Sequence, residues 1–231
     1  MRRGYSRPTD SRQKNTGQSP RSRIGRRART QANLWIFDSP KNEKRLTISG
    51  DLNFMLCVLL EGDSSVVGYK NEPGPYSIVL DGQPTNIVPD LEVQYQRGNV
   101  EWWEIRRSPT QHVKREPPAT QLARAAAAAG MGYSQRTEKD IAGKAVVFDN
   151  WLLLCAAITR ARHFPAHRES SVLRRTLEHS PTSVRELLSD PTVDPALMTA
   201  TIARFLQTGR ASAELETQFF CEDTILKAQS S

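Results

Sequence analysis

The sequence predicts an α/β fold, a mixed sheet flanked by helices, followed by a mostly helical C-terminal region. Three observations point there. Short apolar runs divided by Gly, Asn and Asp turns fill residues 66–105, which is strand patterning. Runs with helical apolar spacing stand before and after them, at 51–61 and 120–129. Beyond roughly residue 145 helical spacing dominates. A helix that carries the chain from a third strand to a later one gives a covered sheet.

The elements follow in order. Residues 33–37 form a short aromatic and aliphatic entry, a strand or a segment packed on the core. Residues 51–61 set Leu52, Met55, Leu56, Leu59 and Leu60 at helical spacing, and Gly62 closes that helix. A β region begins at Val66. Residues 76–80 and 87–93 are expected as strands joined through Asp81-Gly82, a hairpin signal. After a turn at 96–99 comes a strand at 100–105. A loop rich in proline and charge spans 108–118, and an alanine-rich helix spans 120–129. A strand at 133–136 follows, then a short capped helix opening at Thr137. Helices are expected at 149–162, 171–178, 182–188 and 195–207. The last is capped by Asp194, with Pro195 in its first turn. Two short strands at 213–216 and 224–227 would then complete a winged-helix-like outline.

Charge divides the chain. Residues 1–31 hold ten Lys/Arg and one acid, Asp10, a net of +9, whereas the whole chain carries +7. Residues 32–231 are therefore at −2. With almost no large apolar residues, the first 32 residues cannot fold alone and read as a basic arm. Its cations, with Arg21, Arg23, Arg26, Arg27 and Arg29 as candidate DNA contacts, would displace counterions from nucleic acid. The expected organisation is thus an arm at 1–32, an α/β domain at 33–145 and a winged-helix-like domain at 146–231. No run approaches the ~18 apolar residues of a membrane span, and no apolar segment marks a secretory signal. Cys57, Cys155 and Cys221 sit in or beside apolar runs. They are expected as buried free thiols, which suits a reducing cytosol.

Chemistry concentrates in Asp90 and Glu104, fourteen residues apart and each carried by its own short apolar run. If those runs are neighbouring strands, two carboxylates converge where a hard cation such as Mg²⁺ can sit beside a phosphodiester. The carbonyl of Ile105 would add a ligand, and Asp51, heading the preceding helix, a third carboxylate. Arg106 shares the face of Glu104 by the two-residue period of a strand. Glu101 is expected on the opposite face, and Glu92 as a solvated rim charge. Trp35, Trp102 and Trp103 read as core or edge packing.

The ordered set of motifs goes further. Gly50-Asp51-Leu52-Asn53-Phe54 runs to Leu60-Glu61-Gly62-Asp63. Val66-Val67-Gly68-Tyr69-Lys70-Asn71-Glu72-Pro73, Val88-Pro89-Asp90-Leu91 and Glu104-Ile105-Arg106 follow. Arg136-Thr137-Glu138-Lys139-Asp140-Ile141 and Asp149-Asn150-Trp151-Leu152 complete the set. Over about residues 45–160 the chain resembles the TnsA-type endonuclease subunit of heteromeric transposases, a branch of the PD-(D/E)xK nucleases. The resemblance implies a restriction-endonuclease-like sheet and Mg²⁺-dependent cleavage at the 5′ ends of a mobile element, with Mn²⁺ as a possible substitute. It also implies double-stranded DNA of the transposon ends, a DDE-type transposase and an AAA+ ATPase regulator as partners, in a cytoplasmic, nucleoid-associated setting.

Three positions depart from that pattern. Asp51 stands where the family usually has Glu, so its carboxylate reaches less far. Arg106 replaces Lys; its planar fork binds phosphate but cannot act as a base. Leu91 replaces an aromatic residue. The first two departures leave the metal pair standing but keep open a second reading, a catalytically weak or inactive adaptor of the same fold that bridges DNA and the transposition partners. A third reading is a winged-helix transcription regulator with an unrelated α/β sensor. Residues 146–231 hold nine Lys/Arg against ten acids, a balance that favours protein contact over phosphate tracking.

Overall fold

The computed structural model describes residues 33–106 and 120–229. The five arm arginines and the loop at 108–118 lie outside the described residues.

The chain enters through an antiparallel ribbon, β1 (Leu34–Ser39) and β2 (Lys44–Ser49). β2 is not expected from the sequence, although Leu46 and Ile48 point inward on either side of exposed Thr47, after exposed Lys44 and Arg45. Trp35 of β1 stacks on Phe54 at 4.4 Å. Phe54 belongs to α1 (Asp51–Gly62), whose Phe54, Leu56, Cys57, Val58 and Leu60 are buried. Gly62 ends this helix where a Cβ would lie 2.1 Å from the indole nitrogen of Trp151, so only glycine lets that ring pack there.

After α1 the chain builds a four-stranded sheet from β3 (Val66–Asn71), β6 (Leu91–Tyr95), β7 (Val100–Ile105) and β8 (Gly132–Arg136), in that spatial order. The first three are antiparallel and β8 runs parallel to β7. A parallel neighbour needs a crossover. Here it is α2 (Gln121–Ala128), capped by the Thr120 hydroxyl, which accepts from Ala123 N at 3.1 Å. Between β3 and β6 a hairpin departs from the sheet, β4 (Tyr76–Leu80) with β5 (Gln83–Ile87). Asp81 (φ 51°) and Gly82 (φ 76°) make the left-handed two-residue turn that fits strand twist. The turn falls as expected, but its second strand is 83–87 rather than 87–93. The expected strand is split because Pro89 lacks an N–H and restricts Val88 before it.

The sheet is covered on both faces. Tyr69, Leu91, Val93 and Trp103 face α1. Trp102 on the other face packs with Leu122, Ala125 and Ala126 of α2 and with Leu80 and Ile87 of the hairpin. Alternation along β7 thus sends Trp102 and Trp103 into two different cores, in keeping with their expected packing role.

The C-terminal part is α3 (Ala145–Ala161), α4 (His167–His179), β9 (Thr182–Ser183), α5 (Val184–Leu188), α6 (Pro195–Gln207), β10 (Ala211–Ser212) and β11 (Ile225–Ala228). The three short strands pair in the order β10-β11-β9. The expected two-strand pair at 213–216 and 224–227 becomes three strands, with β10 two residues earlier and 182–183 recruited from before α5. α6 is capped by Asp194, which accepts from Ala196 N (2.8 Å) and Leu197 N (2.9 Å). Eight of its thirteen residues are buried, against α3, α4 and α1. One apolar cluster runs from Phe37 and α1 through α3 to Leu226, so the core continues across residue 145. Cys57 and Cys155 are buried; Cys221 is exposed, a correction. Its Phe219-Phe220 neighbours suggested an apolar run, yet Phe219 is itself 62% exposed in this turn. No described helix is long and apolar enough to cross a membrane.

Candidate metal site at the end of the sheet

Asp90 precedes β6, and the register that pairs Leu91 with Trp103 brings it beside Glu104 on the adjacent strand. Its backbone is held from both sides. The Asp90 carbonyl accepts from Glu72 N (3.0 Å), continuing the ladder to β3, while its N–H donates to the Trp103 carbonyl at 3.1 Å. Two successive residues of one strand therefore meet Trp103 across the pair, a bulge that re-aims the side chain. The carboxylate Oδ2 accepts from Ile105 N at 2.7 Å. Ile105 thus meets Asp90 through its amide.

Glu104 lies on the face of β7 that also carries Trp102, towards α2. Its Oε2 accepts from the Tyr133 hydroxyl (2.6 Å) and its Oε1 from the Arg106 guanidinium (2.6 Å). Thr120 donates in turn to the Tyr133 oxygen at 3.2 Å. Partial burial works against the Glu104 charge, but the hydrogen bonds from Tyr133 and Arg106 and the nearby Arg106 charge outweigh it and hold the carboxyl below its ordinary range. Arg106 continues the pairing of β7, its N–H donating to the Arg136 carbonyl at 2.8 Å. Asp90 thus meets Ile105, and Glu104 meets Arg106, at the same end of two adjacent strands.

Asp51 is placed differently. Its Oδ1 accepts from Asn33 Nδ2 and Trp35 Nε1, both at 2.9 Å. Because Trp35 stacks on Phe54, one turn into α1, its indole N–H reaches back to the helix start. Among the described residues no three His, Cys, Asp or Glu side chains are grouped so as to hold a metal ion. Asp51 does not complete a triad with Asp90 and Glu104.

The other acids of these strands are also fixed. Glu101 faces away from Glu104, as expected, and accepts from Tyr95 (2.8 Å), Trp103 Nε1 (2.7 Å) and Ser134. Glu92 is no rim charge: its side chain is 12% exposed and accepts from Lys70 (2.6 Å), Tyr76 and Trp102 Nε1 (3.3 Å). The hairpin brings Tyr76 over it, a contact no local pattern announces. Tyr133, which donates to Glu104, and Thr120, which donates to Tyr133, carry no local signal of these roles in the sequence. The only pointer is that Tyr133 shares the Trp102 face of the sheet. A cavity of about 380 Å³ opens on the opposite face, lined by Leu59, Tyr95, Trp103, Arg136, Lys144 and Trp151, and belongs to none of this.

Neither protein-family models nor curated proteins gave a match to this chain.

Proposed function

We propose that the chain is a metal-dependent DNA endonuclease subunit of a heteromeric transposase, a PD-(D/E)xK-type protein that cleaves the 5′ ends of a mobile element. The observation that carries the reading is the order α1-β3-β6-β7-α2-β8 with Asp90 and Glu104 adjacent at one end of the mixed sheet. The donor set suits a hard cation: oxygens only, with two carboxylates, as many as Mg²⁺ commonly takes from protein when substrate phosphate and water complete its shell. Asp90 and Glu104 would hold Mg²⁺ or Mn²⁺, the Ile105 carbonyl assisting. Such an ion polarises the phosphoryl oxygen and lowers the pKa of the attacking water.

The chain's own groups have separate tasks. Ile105 N fixes the Asp90 carboxylate, and Tyr133 keeps Glu104 ionised and oriented. Arg106 is always charged and presents a planar fork. It can pass from Glu104 to a phosphate oxygen as DNA arrives, stabilising charge without accepting a proton. Asp51 supports β1 rather than the ion. The order β10-β11-β9 around α5 and α6 supports a winged-helix-like module. Since α6 is mostly buried, that module suits docking of a DDE-type transposase or an AAA+ ATPase regulator better than reading a groove. The same burial weighs against the transcription-regulator reading. Function on DNA places the protein with the nucleoid in the cytoplasm.

One observation favours a second reading, an inactive adaptor of the same fold. The Arg106 guanidinium is bonded to Glu104 where a cation would otherwise neutralise it. Nicking of a supercoiled plasmid bearing the element's ends, with Mg²⁺ or Mn²⁺, separates the two. Cleavage by wild type and none by Asp90→Ala supports the endonuclease. No cleavage by either, with either metal and with the partner transposase present, leaves the adaptor.

A further inference from the structure

The near-neutral total of the C-terminal part conceals a separation. Residues 160–180 hold five Arg and two acids, whereas residues 181–231 hold four Lys/Arg and seven acids. Neither acid of the first segment offsets its arginines freely. Glu169 is buried at 5% exposure and bonded to Asp194 N (3.2 Å), and Glu178 pairs with Arg174. Arg160, Arg162, Arg168 and Arg175, at the end of α3 and along α4, are exposed and have no ion-pair partner among the described residues. Elsewhere Arg45, Arg106, Arg124, Arg136 and Arg185 each pair with an acid. Among the described residues Arg97, Arg204 and Arg210 also lack an ion-pair partner, and they lie far from one another in the sequence or outside α3 and α4. Two acids feel the quartet's charge without pairing to it, Asp38 that of Arg162 and Asp190 that of Arg168, and each is bonded elsewhere: Asp38 to Arg45 (3.1 Å), and Asp190 to Thr192 N and hydroxyl.

Spacing makes this a surface rather than a count. Arg168 and Arg175 are seven residues apart, two turns along one side of α4, with a rise of about 10.5 Å. Over that length one strand of a duplex presents about three phosphates along its axis. Arg160 and Arg162 lie at the C-terminal end of α3, eight and six residues before Arg168, across the short turn between α3 and α4. An unpaired guanidinium keeps its whole fork for a phosphate oxygen.

We propose that the α3–α4 corner is a docking surface for the phosphate backbone of duplex DNA, independent of base sequence and separate from both α6 and the Asp90–Glu104 end of the sheet. It rests on the reading above only in taking DNA as the ligand. Arg185, by contrast, is neutralised by Glu222 (2.8 Å) and Asp223 (2.9 Å).

The test is fluorescence anisotropy of the full chain with a labelled duplex of about 30 base pairs, titrated between about 50 and 200 mM KCl. The variant Arg160→Ala/Arg162→Ala/Arg168→Ala/Arg175→Ala is compared with wild type and Arg185→Ala; circular dichroism checks its fold. The quadruple variant is expected to bind at least about ten-fold more weakly, with a salt slope shallower by about 3–4, equally on duplexes of unrelated sequence. Arg185→Ala should leave both unchanged. Wild-type affinity and slope in the quadruple variant, with nicking retained, overturn this surface and assign the quartet to an acidic protein, while the endonuclease reading stands. Wild type that binds no duplex overturns both.

Discussion

Two carboxylates of this chain, Glu61 and Glu104, are both held by hydrogen bonds, and they differ in what holds them. Glu61, at the end of α1, is fully buried and accepts from Ser39, Lys41 N (3.0 Å), Tyr69 (2.8 Å) and Gln207 (2.9 Å). Those donors come from the end of β1 and the turn after it, from β3 and from α6, so one side chain ties the sheet to the C-terminal helices. Glu104 keeps 17% of its side chain exposed, and one of its partners, Arg106, is 43% exposed. A carboxylate enclosed by interior donors can only join elements. One held by a removable surface cation can exchange that cation for another, and the contrast separates a structural acid from a candidate ligand.

The largest effect is expected where the enclosure is complete. Glu61→Ala strands the buried Ser39, Tyr69 and Gln207 donors together and should cost about 3–5 kcal/mol, each unsatisfied group costing about 1–3. Urea unfolding at constant m-value reads it, and a loss below that of Asp90→Ala would break the comparison. Asp90→Ala, which releases Ile105 N at the end of the sheet, should cost about 1–2 kcal/mol. It should nonetheless abolish nicking, an effect Glu61→Gln, if folded, does not share.

Stability against pH should divide the two acids by sign. Burial raises the Glu61 pKa above its ordinary 4.5 despite the hydrogen bonds that oppose the rise. Folding then takes up a proton, so its contribution is fully present below 4.5 and is lost as pH rises through the raised folded value. Glu104 has a lowered pKa. Its contribution is present above 4.5 and is lost as pH falls through the folded value. Denaturant midpoints measured from about pH 3 to pH 8 should show the high-pH loss vanish in Glu61→Gln and part of the acid loss vanish in Glu104→Gln.

The contrast was not legible in the sequence, although much of the fold was. α1, the Asp81-Gly82 turn, β7, α2 and the capped α6 follow from spacing and capping over a few residues. Glu61 looks like an acid in an ordinary exposed last turn, since its partners stand 8 to 146 residues away and only tertiary packing brings them in. Local pattern likewise puts Asp90 and Glu104 at the same end of neighbouring strands, because a short turn and the strand period set that pairing. It does not carry Tyr133, which arrives through a parallel pairing, or the capture of Asp51 by Trp35, which depends on how β1 lies over α1. Pro89 was visible yet misjudged: it splits the run of which Asp90 is a part, and the bulge it accompanies aims that carboxylate.

The smallest change in stability should carry the most information. Arg106→Lys keeps a cation on the Glu104 face but removes the planar fork, and an exposed pair of this kind is worth at most about 1 kcal/mol. The unfolding midpoint should barely move. Lysine has a single ammonium on a flexible stem, which grips Glu104 less rigidly and can release a proton where guanidinium cannot. If Glu104 is a ligand waiting for exchange, the substitution should raise nicking several-fold and lower the Mg²⁺ concentration for half-maximal rate. Should wild type and Arg106→Lys be equally inactive while Arg106→Ala destabilises the sheet end, Glu104 joins Glu61 as a structural acid, and the distinction between them reduces to depth of burial.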